Sequence, residues 1–248
     1  MEKFFNIQYE FQPETAHKCI EEHITRGEPG YICVADGVIL SKTYRDAEYL
    51  NIINRAICTI CDSSFVPLYI KRIYGLNRKQ YCGSDIFEDI IRGGKYRMIF
   101  LGSSRHTLDG LQQNIAIWNS EVLNMQFVEL PFAEIDAFDY PAIARMVEQD
   151  GADIIWVALG APKQEYFMAR LLPYLRHGVI IAVGAVFNFY GDSGYRRAPR
   201  WVRKAHLEFL YRIWKEPRKQ LHRCRDILLT LPPLLYTEWR HRRTKLSN

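Results

Sequence analysis

The sequence predicts an α/β protein: a Rossmann-like, mostly parallel sheet flanked by helices, carrying a basic helical appendage at its C-terminus. Three observations support that expectation. Short apolar runs alternate with segments of helical periodicity, the loops after the apolar runs are rich in small or polar residues, and the charge balance reverses after the last run.

Taken in chain order, strands are expected at 31–34, 56–61, 97–102, 125–129, 153–158 and 179–183, each a short, bounded apolar run. Helices are expected between them at 44–54, 66–74, 84–91, 107–118, 140–148 and 162–176, where apolar residues recur at helical spacing. Beyond the last strand, 199–214 and 218–229 read as two helices separated near Glu216-Pro217. Pro232-Pro233 is then expected to break the chain before a mixed apolar and basic segment, 234–248. No repeat, low-complexity tract or Gly/Ser linker divides the chain, so residues 1–195 read as the α/β core and 196–248 as the appendage.

With 248 residues, 48% of them hydrophobic and 25% charged, the chain can bury one full core or two small ones, and disorder is not expected. No stretch approaches the ~20 unbroken apolar residues of a spanning helix, and the N-terminus lacks an apolar signal core, so a cytosolic protein is expected. The six cysteines are scattered and suit reduced, buried thiols. Cys58-Thr59-Ile60-Cys61 has the spacing of a redox or zinc motif but lies inside an apolar run, which favours core packing.

The net charge of +5 hides an asymmetry: residues 196–248 hold 15 of the 33 Lys and Arg but 4 of the 28 Asp and Glu. The tail is therefore about +11 and the body about −6. A polyanionic partner follows, either an anionic lipid surface or nucleic acid.

In a parallel sheet, ligands sit beyond the C-terminal ends of the strands. The loops there read Ala35-Asp36-Gly37, Asp62-Ser63-Ser64, Ser103-Ser104-Arg105, Leu159 to Glu165 and Gly184 to Asn188. Gly160-Ala161-Pro162-Lys163-Gln164-Glu165 is the most informative. A glycine after an apolar strand and a proline at a helix's first turn allow close backbone approach to a ligand, the helix N-terminus offers free amides, Lys163 adds a cation and Gln164 donates and accepts. That set suits a diphosphate or a sugar; a well-capped strand-to-helix turn explains the same residues.

Asp62 ends an apolar strand, where a carboxylate can face a crevice and act as general base, or can cap the helix that follows; Asp36 faces the same two alternatives. There is no Gly-x-Ser-x-Gly, no Walker lysine loop, no zinc-binding His pair and no Gly-x-Gly-x-x-Gly after the first strand. Nor is there an Asp-x-Asp pair to hold a metal between phosphates, so neither a metal nor another cofactor is expected.

The order of these loops resembles the WecG/TagA/CpsF glycosyltransferases, glycosyltransferase family 26. The resemblance rests on the Gly160 to Glu165 segment, on Gly184-Ala185-Val186-Phe187-Asn188-Phe189-Tyr190-Gly191, and on Arg197-Ala198-Pro199-Arg200-Trp201, Leu207 to Arg212 and Glu216-Pro217-Arg218, in that order. It implies transfer of a sugar, often of N-acetylmannosamine type, from a UDP donor to a sugar on a polyprenyl diphosphate, in making cell-envelope or exopolysaccharide intermediates. The family's catalytic aspartate sits in a Pro-Asp-Gly loop, whose place is taken here by Cys61-Asp62-Ser63. The usual Thr-x-Asn appears as Val34-Ala35-Asp36, the usual Arg-Val-x-Gly as Gln80-Tyr81-Cys82-Gly83, and the aspartate after the last strand as Asn188.

By that resemblance Asp62 is the expected catalytic base. Asp36, Gly102, Ser103, Gly160, Pro162, Lys163, Gln164, Glu165, Gly184 and Asn188 are the expected substrate-binding residues, and Arg197, Arg212 and Arg218 are candidates for a diphosphate. The tail, where Arg240, Arg242, Arg243 and Lys245 accompany Leu234, Leu235, Tyr236 and Trp239, is expected to rest on the inner face of the membrane. Packing of those apolar residues on the body, or on a second copy in a homo-oligomer, is the alternative. A nucleotide-dependent oxidoreductase and a nucleic-acid-binding protein are rival readings. The missing dinucleotide signature counts against the first, and the tail's leucines, which suit lipid better than nucleic acid, count against the second.

Overall fold

The computed structural model describes residues 1–192 and 217–245, with side chains of the last helix described over 225–242. The expected helix at 199–214, together with Arg197 and Arg212, lies outside the described residues, as does the side chain of Arg218.

Six parallel strands form the sheet: β3 (Gly30–Ala35), β4 (Cys58–Cys61), β5 (Met98–Gly102), β6 (Gln126–Val128), β7 (Ile154–Ala158) and β8 (Val179–Ala182). Their order is β4-β3-β8-β7-β5-β6. A short antiparallel hairpin of β1 (Glu2–Phe4) and β2 (Ile7–Tyr9) precedes them. Apart from edge strand β6, the sheet strands are buried along nearly their whole length, which is why they appear in the sequence as short, mostly apolar runs.

Side chains alternate between the two faces. Tyr31, Cys33 and Ala35 enter one core with α2 (Gly37–Arg45), α3 (Ala47–Asn54), α4 (Phe65–Tyr74), α7 (Tyr140–Asp150) and α8 (Lys163–Leu171). Ile32 and Val34 enter the other, with α1 (Pro13–Arg26), α5 (Gly83–Gly93), α6 (Arg105–Ile115) and α9 (Val186–Gly191). The sheet is thus covered on both sides, as parallel sheets require.

Three expectations are corrected. The helix expected at 44–54 is two helices, because Asp46 takes an extended conformation between them and accepts the Tyr49 N–H at 2.9 Å, starting α3 afresh. The helix expected at 162–176 stops at Leu171 and tightens into a 3-10 turn, Leu172–Tyr174, around Pro173. Pro232-Pro233 does not break the chain: α10 runs from Pro217 to Lys245. Thr230, Leu234 and Glu238 form one buried stripe that spans the proline pair, while both prolines face outward. The Ser41 hydroxyl donates to the Asp226 carbonyl at 3.1 Å and lies 2.7 Å from the Thr230 hydroxyl, and the Tyr74 hydroxyl donates to Glu238 at 2.5 Å. This docking on α2 and α4, together with Leu234, whose burial contributes about 2 kcal/mol, offsets the amide donors that two prolines remove.

The hairpin, α1, α2 and α9 were not expected from the sequence. α9 matters most, because it crosses α6 with backbones touching: a Cβ at Gly110 would lie 2.1 Å from the Gly191 carbonyl oxygen, and one at Gly191 would lie 2.2 Å from that of Thr107. Gly110→Ala should therefore lower stability by about 2 kcal/mol, despite alanine's better helix propensity. A denaturant midpoint equal to that of the unsubstituted protein would contradict the contact.

Candidate active site

β5 leads outward to β6 through α6 on one face, while β7 leads back to β8 through α8 on the other. The loops after these neighbouring strands therefore diverge, opening a crevice at the strands' C-terminal ends. Gly102 makes the close approach there: at φ 106° a Cβ would lie 2.7 Å from the Ala158 carbonyl oxygen. Ser103 follows at φ 63°, a left-handed conformation that costs a non-glycine residue about 1 kcal/mol or more. Its hydroxyl donates to Asn188 Oδ1 at 3.4 Å, tying the loop after β5 to α9.

The loop after β7 is tied to the loop after β8. Gly160, at φ 78°, donates its N–H to Gln164 Oε1 at 3.1 Å. The same oxygen lies 3.3 Å from where a Cβ on Gly184 would stand, so Gly184, at φ 54°, leaves room for the Gln164 amide. Pro162 follows a cis peptide and is the N-cap of α8. Lys163 turns aside: its ammonium donates to the Ala133 carbonyl and lies 5.3 Å from the ring centres of Phe132 and Phe138.

Glu165 is 0% exposed. Gln164 Nε2 donates to one carboxylate oxygen at 2.9 Å and the Tyr49 hydroxyl to the other at 2.9 Å. Burial pushes this carboxyl up to about 7, while the Gln164 and Tyr49 donors pull the other way and the Asp36 carboxylate adds to the rise.

Asp36 caps α2, accepting the Val38 and Ile39 N–H groups at 2.9 and 3.0 Å. Of its two sequence readings, the capping role is the one this geometry displays. Asp62 does not cap α4; the Ser63 hydroxyl accepts the Phe65 and Val66 N–H groups instead. Asp62 Oδ1 accepts the Gly83 N–H at 2.9 Å, at the start of α5, so the carboxylate is pinned at the rim while remaining partly exposed. Gly83 lacks a side chain where one would meet Val34 Cγ1 at 3.0 Å and Val186 Cγ2 at 3.8 Å, which places Asp62's partner between β3 and the loop after β8.

The structure thus joins Asp62, Gly102, Ser103, Gly160, Gln164, Gly184 and Asn188 in one rim, and sets Lys163 and Glu165 apart from it, one turned aside and one enclosed. Tyr49 was missed by sequence reasoning, and Gly83, present in the Gln80 to Gly83 segment, was given no role of its own. Gly83 lies 21 residues from the carboxylate it holds, and Tyr49 reads as a core position of an amphipathic helix; only the need of a buried hydroxyl for a partner marks it out. Among the described residues no group of three His, Cys, Asp or Glu is placed to hold a metal ion. Cys58 and Cys61 lie within β4, where burial pushes both thiols up to about 12 and leaves them protonated.

Comparisons with known proteins agree with the loop pattern. The family model described as the glycosyl transferase WecG/TagA/CpsF family matches residues 3–248. An N-acetylglucosaminyldiphosphoundecaprenol N-acetyl-beta-D-mannosaminyltransferase of Bacillus subtilis is 23% identical over 176 residues, 70% of this chain and 66% of that protein. The protein of the same description from Bacillus spizizenii is 21% identical over 230 residues, 89% of this chain and 83% of that one.

Glu165 generates a pH prediction. Its folded-state value lies above the ordinary 4.5, so its contribution to stability is full below about 4.5 and is lost as pH rises through about 7. Glu165→Gln carries no such titration. Unfolding free energies at pH 5 and pH 8 should show the unsubstituted protein losing roughly 2 kcal/mol more than the variant; equal losses would mean that the carboxyl titrates normally.

Proposed function

Because this chain belongs to the WecG/TagA/CpsF family of glycosyl transferases, we propose that it moves a hexose of N-acetylmannosamine type from a UDP-sugar to a sugar carried on a polyprenyl diphosphate. The reaction takes place at the cytoplasmic face of a membrane and inverts the anomeric carbon. One observation carries the reading: a carboxylate pinned by a backbone amide, Asp62, shares a rim with two helix N-termini, those of α6 and α8.

The donor's diphosphate rests on the loops Gly102-Ser103 and Gly160 to Gln164 at the N-termini of α6 and α8, where the helix dipoles favour negative charge. The acceptor hydroxyl attacks the anomeric carbon while Asp62 takes its proton. The bond from that carbon to the diphosphate breaks, and the electron pair leaves with UDP. Asp62's bond to Gly83 holds the accepting oxygens in one orientation, so that orientation need not be reached anew at each turnover. Arg197, Arg212 and Arg218 remain the candidate cations for the diphosphate of donor or acceptor.

The outward face of α10 supports membrane contact. Leu228, Leu229, Tyr236 and Trp239 are exposed there beside exposed Arg225 and Arg240, while the opposite stripe is docked on the body. The packing reading of the tail's apolar residues holds for the docked stripe, which leaves the outward face available for the membrane reading. Among the described residues no helix is long and apolar enough to cross a membrane.

Asp62→Asn should leave UDP affinity within about threefold while lowering turnover by at least ~100-fold, the scale of a lost general base; calorimetry and a radiolabelled transfer assay read the two, and retained turnover removes Asp62 from the role. Thermal shift with UDP, NAD and duplex DNA separates the classes, and a response to NAD without one to UDP sinks the transferase reading. Replacing Leu228, Leu229 and Trp239 together by glutamate should abolish co-sedimentation with phosphatidylglycerol vesicles. Undiminished binding would take the membrane contact away from this face of α10.

A further inference from the structure

Resting on that transferase reading, we propose that Tyr49 and Glu165 are positioning residues: through the Gln164 amide they fix the Gly160 loop in the shape that receives the donor's diphosphate. Neither side chain reaches the crevice. Both are enclosed, Glu165 at the start of α8 and Tyr49 on α3.

The hydrogen bonds form one directed chain. The Tyr49 hydroxyl donates to Glu165 Oε2, Gln164 Nε2 donates to Glu165 Oε1, and Gln164 Oε1 is thereby left to accept the Gly160 N–H. Above about pH 7 Glu165 is ionised and only accepts, so it dictates which end of the Gln164 amide faces it and which end faces Gly160. Were the amide reversed, its NH2 would meet the Gly160 N–H, donor against donor. The loop's shape thus depends on a carboxylate held two hydrogen bonds away.

The carboxylate in turn is held by a seam reaching to the surface. Tyr49 packs on Tyr166 with ring centres 5.3 Å apart, Lys42 lies 5.2 Å from the Tyr49 ring centre and 3.0 Å from Asp46, and the Tyr166 hydroxyl donates to Asp46 at 3.1 Å. These contacts join α2, α3 and α8, so the Tyr49 hydroxyl is delivered to Glu165 by three helices. Burial raises the Glu165 carboxyl to about 7 and the Tyr49 phenol well above its usual value, so the phenol stays a donor throughout the neutral range.

Tyr49→Phe deletes one hydroxyl and keeps the packed ring. Amide hydrogen exchange on the full-length protein should show the Gly160 N–H exchanging about tenfold faster, with Phe167 to Leu171 of α8 unchanged. With UDP-N-acetylmannosamine and a short-chain lipid diphosphate acceptor, the donor KM should rise at least fivefold while the acceptor KM stays the same. Glu165→Gln, which keeps the volume but offers one acceptor oxygen, should show the same split. Unchanged exchange at Gly160 in both variants overturns the proposal, even if the protein transfers no sugar from UDP donors. Faster exchange with an unaltered donor KM overturns it as well, since the loop would then not serve the donor. A fully folded protein that neither binds UDP nor transfers sugar refutes the transferase reading alone, and the exchange rates still decide the seam.

Discussion

Residues 110 and 191 carry no side chain, and the site's geometry depends on that. With backbones in contact, α9 is drawn against α6 closely enough for Asn188 to meet the Ser103 hydroxyl. Any side chain at the crossing would hold the helices several tenths of an ångström further apart, because neither carbonyl oxygen can move without disturbing its own helix. Gly102 repeats the device one layer deeper, where β5 and β7 end side by side. Close backbone approach, rather than any strong side-chain interaction, therefore gathers loops from separate strands into one rim.

The far side of the rim is held differently. α4 and α5 lie on opposite faces of the sheet, so residues 75–82 pass around the β4 edge, guided by the Tyr81 N–H to Cys61 carbonyl bond of 3.0 Å. That passage delivers the Gly83 amide to Asp62. α10 adds support from the other face: a Cβ on Gly37 would lie 3.2 Å from Ile227 Cδ1, and Gly37 opens the helix that Asp36 caps. The helix that presents exposed leucines and tryptophan outward is thus packed against the residue that follows Asp36, in the loop after β3.

All six sheet strands were legible in the sequence; β3, β4, β5, β7 and β8 because strands buried along their length appear as short runs of mostly apolar residues, and β6, at the edge, from its short run alone. α2 was not, since Gly37 to Arg45 mixes buried Ser41 and Thr43 with apolar residues and so breaks the expected periodicity. The burial of Ser41 becomes intelligible only with α10 in place, whose Thr230 lies against it across 189 residues of chain, while the Thr43 hydroxyl donates to the Leu40 carbonyl of its own helix. Pro232-Pro233 misled for the same reason: local propensity argued for a break, and tertiary docking on either side outweighed it. In the site, the loops and their glycines were readable from strand ends alone. What was not readable was direction: Lys163 and Glu165 stand in one hexapeptide with Gln164, yet only Gln164 bonds within the rim, because Phe132, Phe138 and Ala133 draw the lysine off and Tyr49 draws the glutamate inward.

Three carboxylates near the strand ends have three environments, and the differences bear on which of them suits the proposed role of base. Asp36 accepts two amides of its own helix through one oxygen, Oδ1, and so caps α2. Burial pushes the Glu165 carboxyl up to about 7, which by itself would nominate it as the base. A base must also reach the proton it removes, within about 3 Å or through one water, and Glu165 is enclosed with both oxygens accepting from its neighbours. Asp62 is less enclosed, accepts the Gly83 amide and stands at the rim. Access therefore outranks the perturbed value in choosing between them. The energy of burying Glu165 is better understood as the cost of keeping the Gln164 amide one way round than as the tuning of a catalyst.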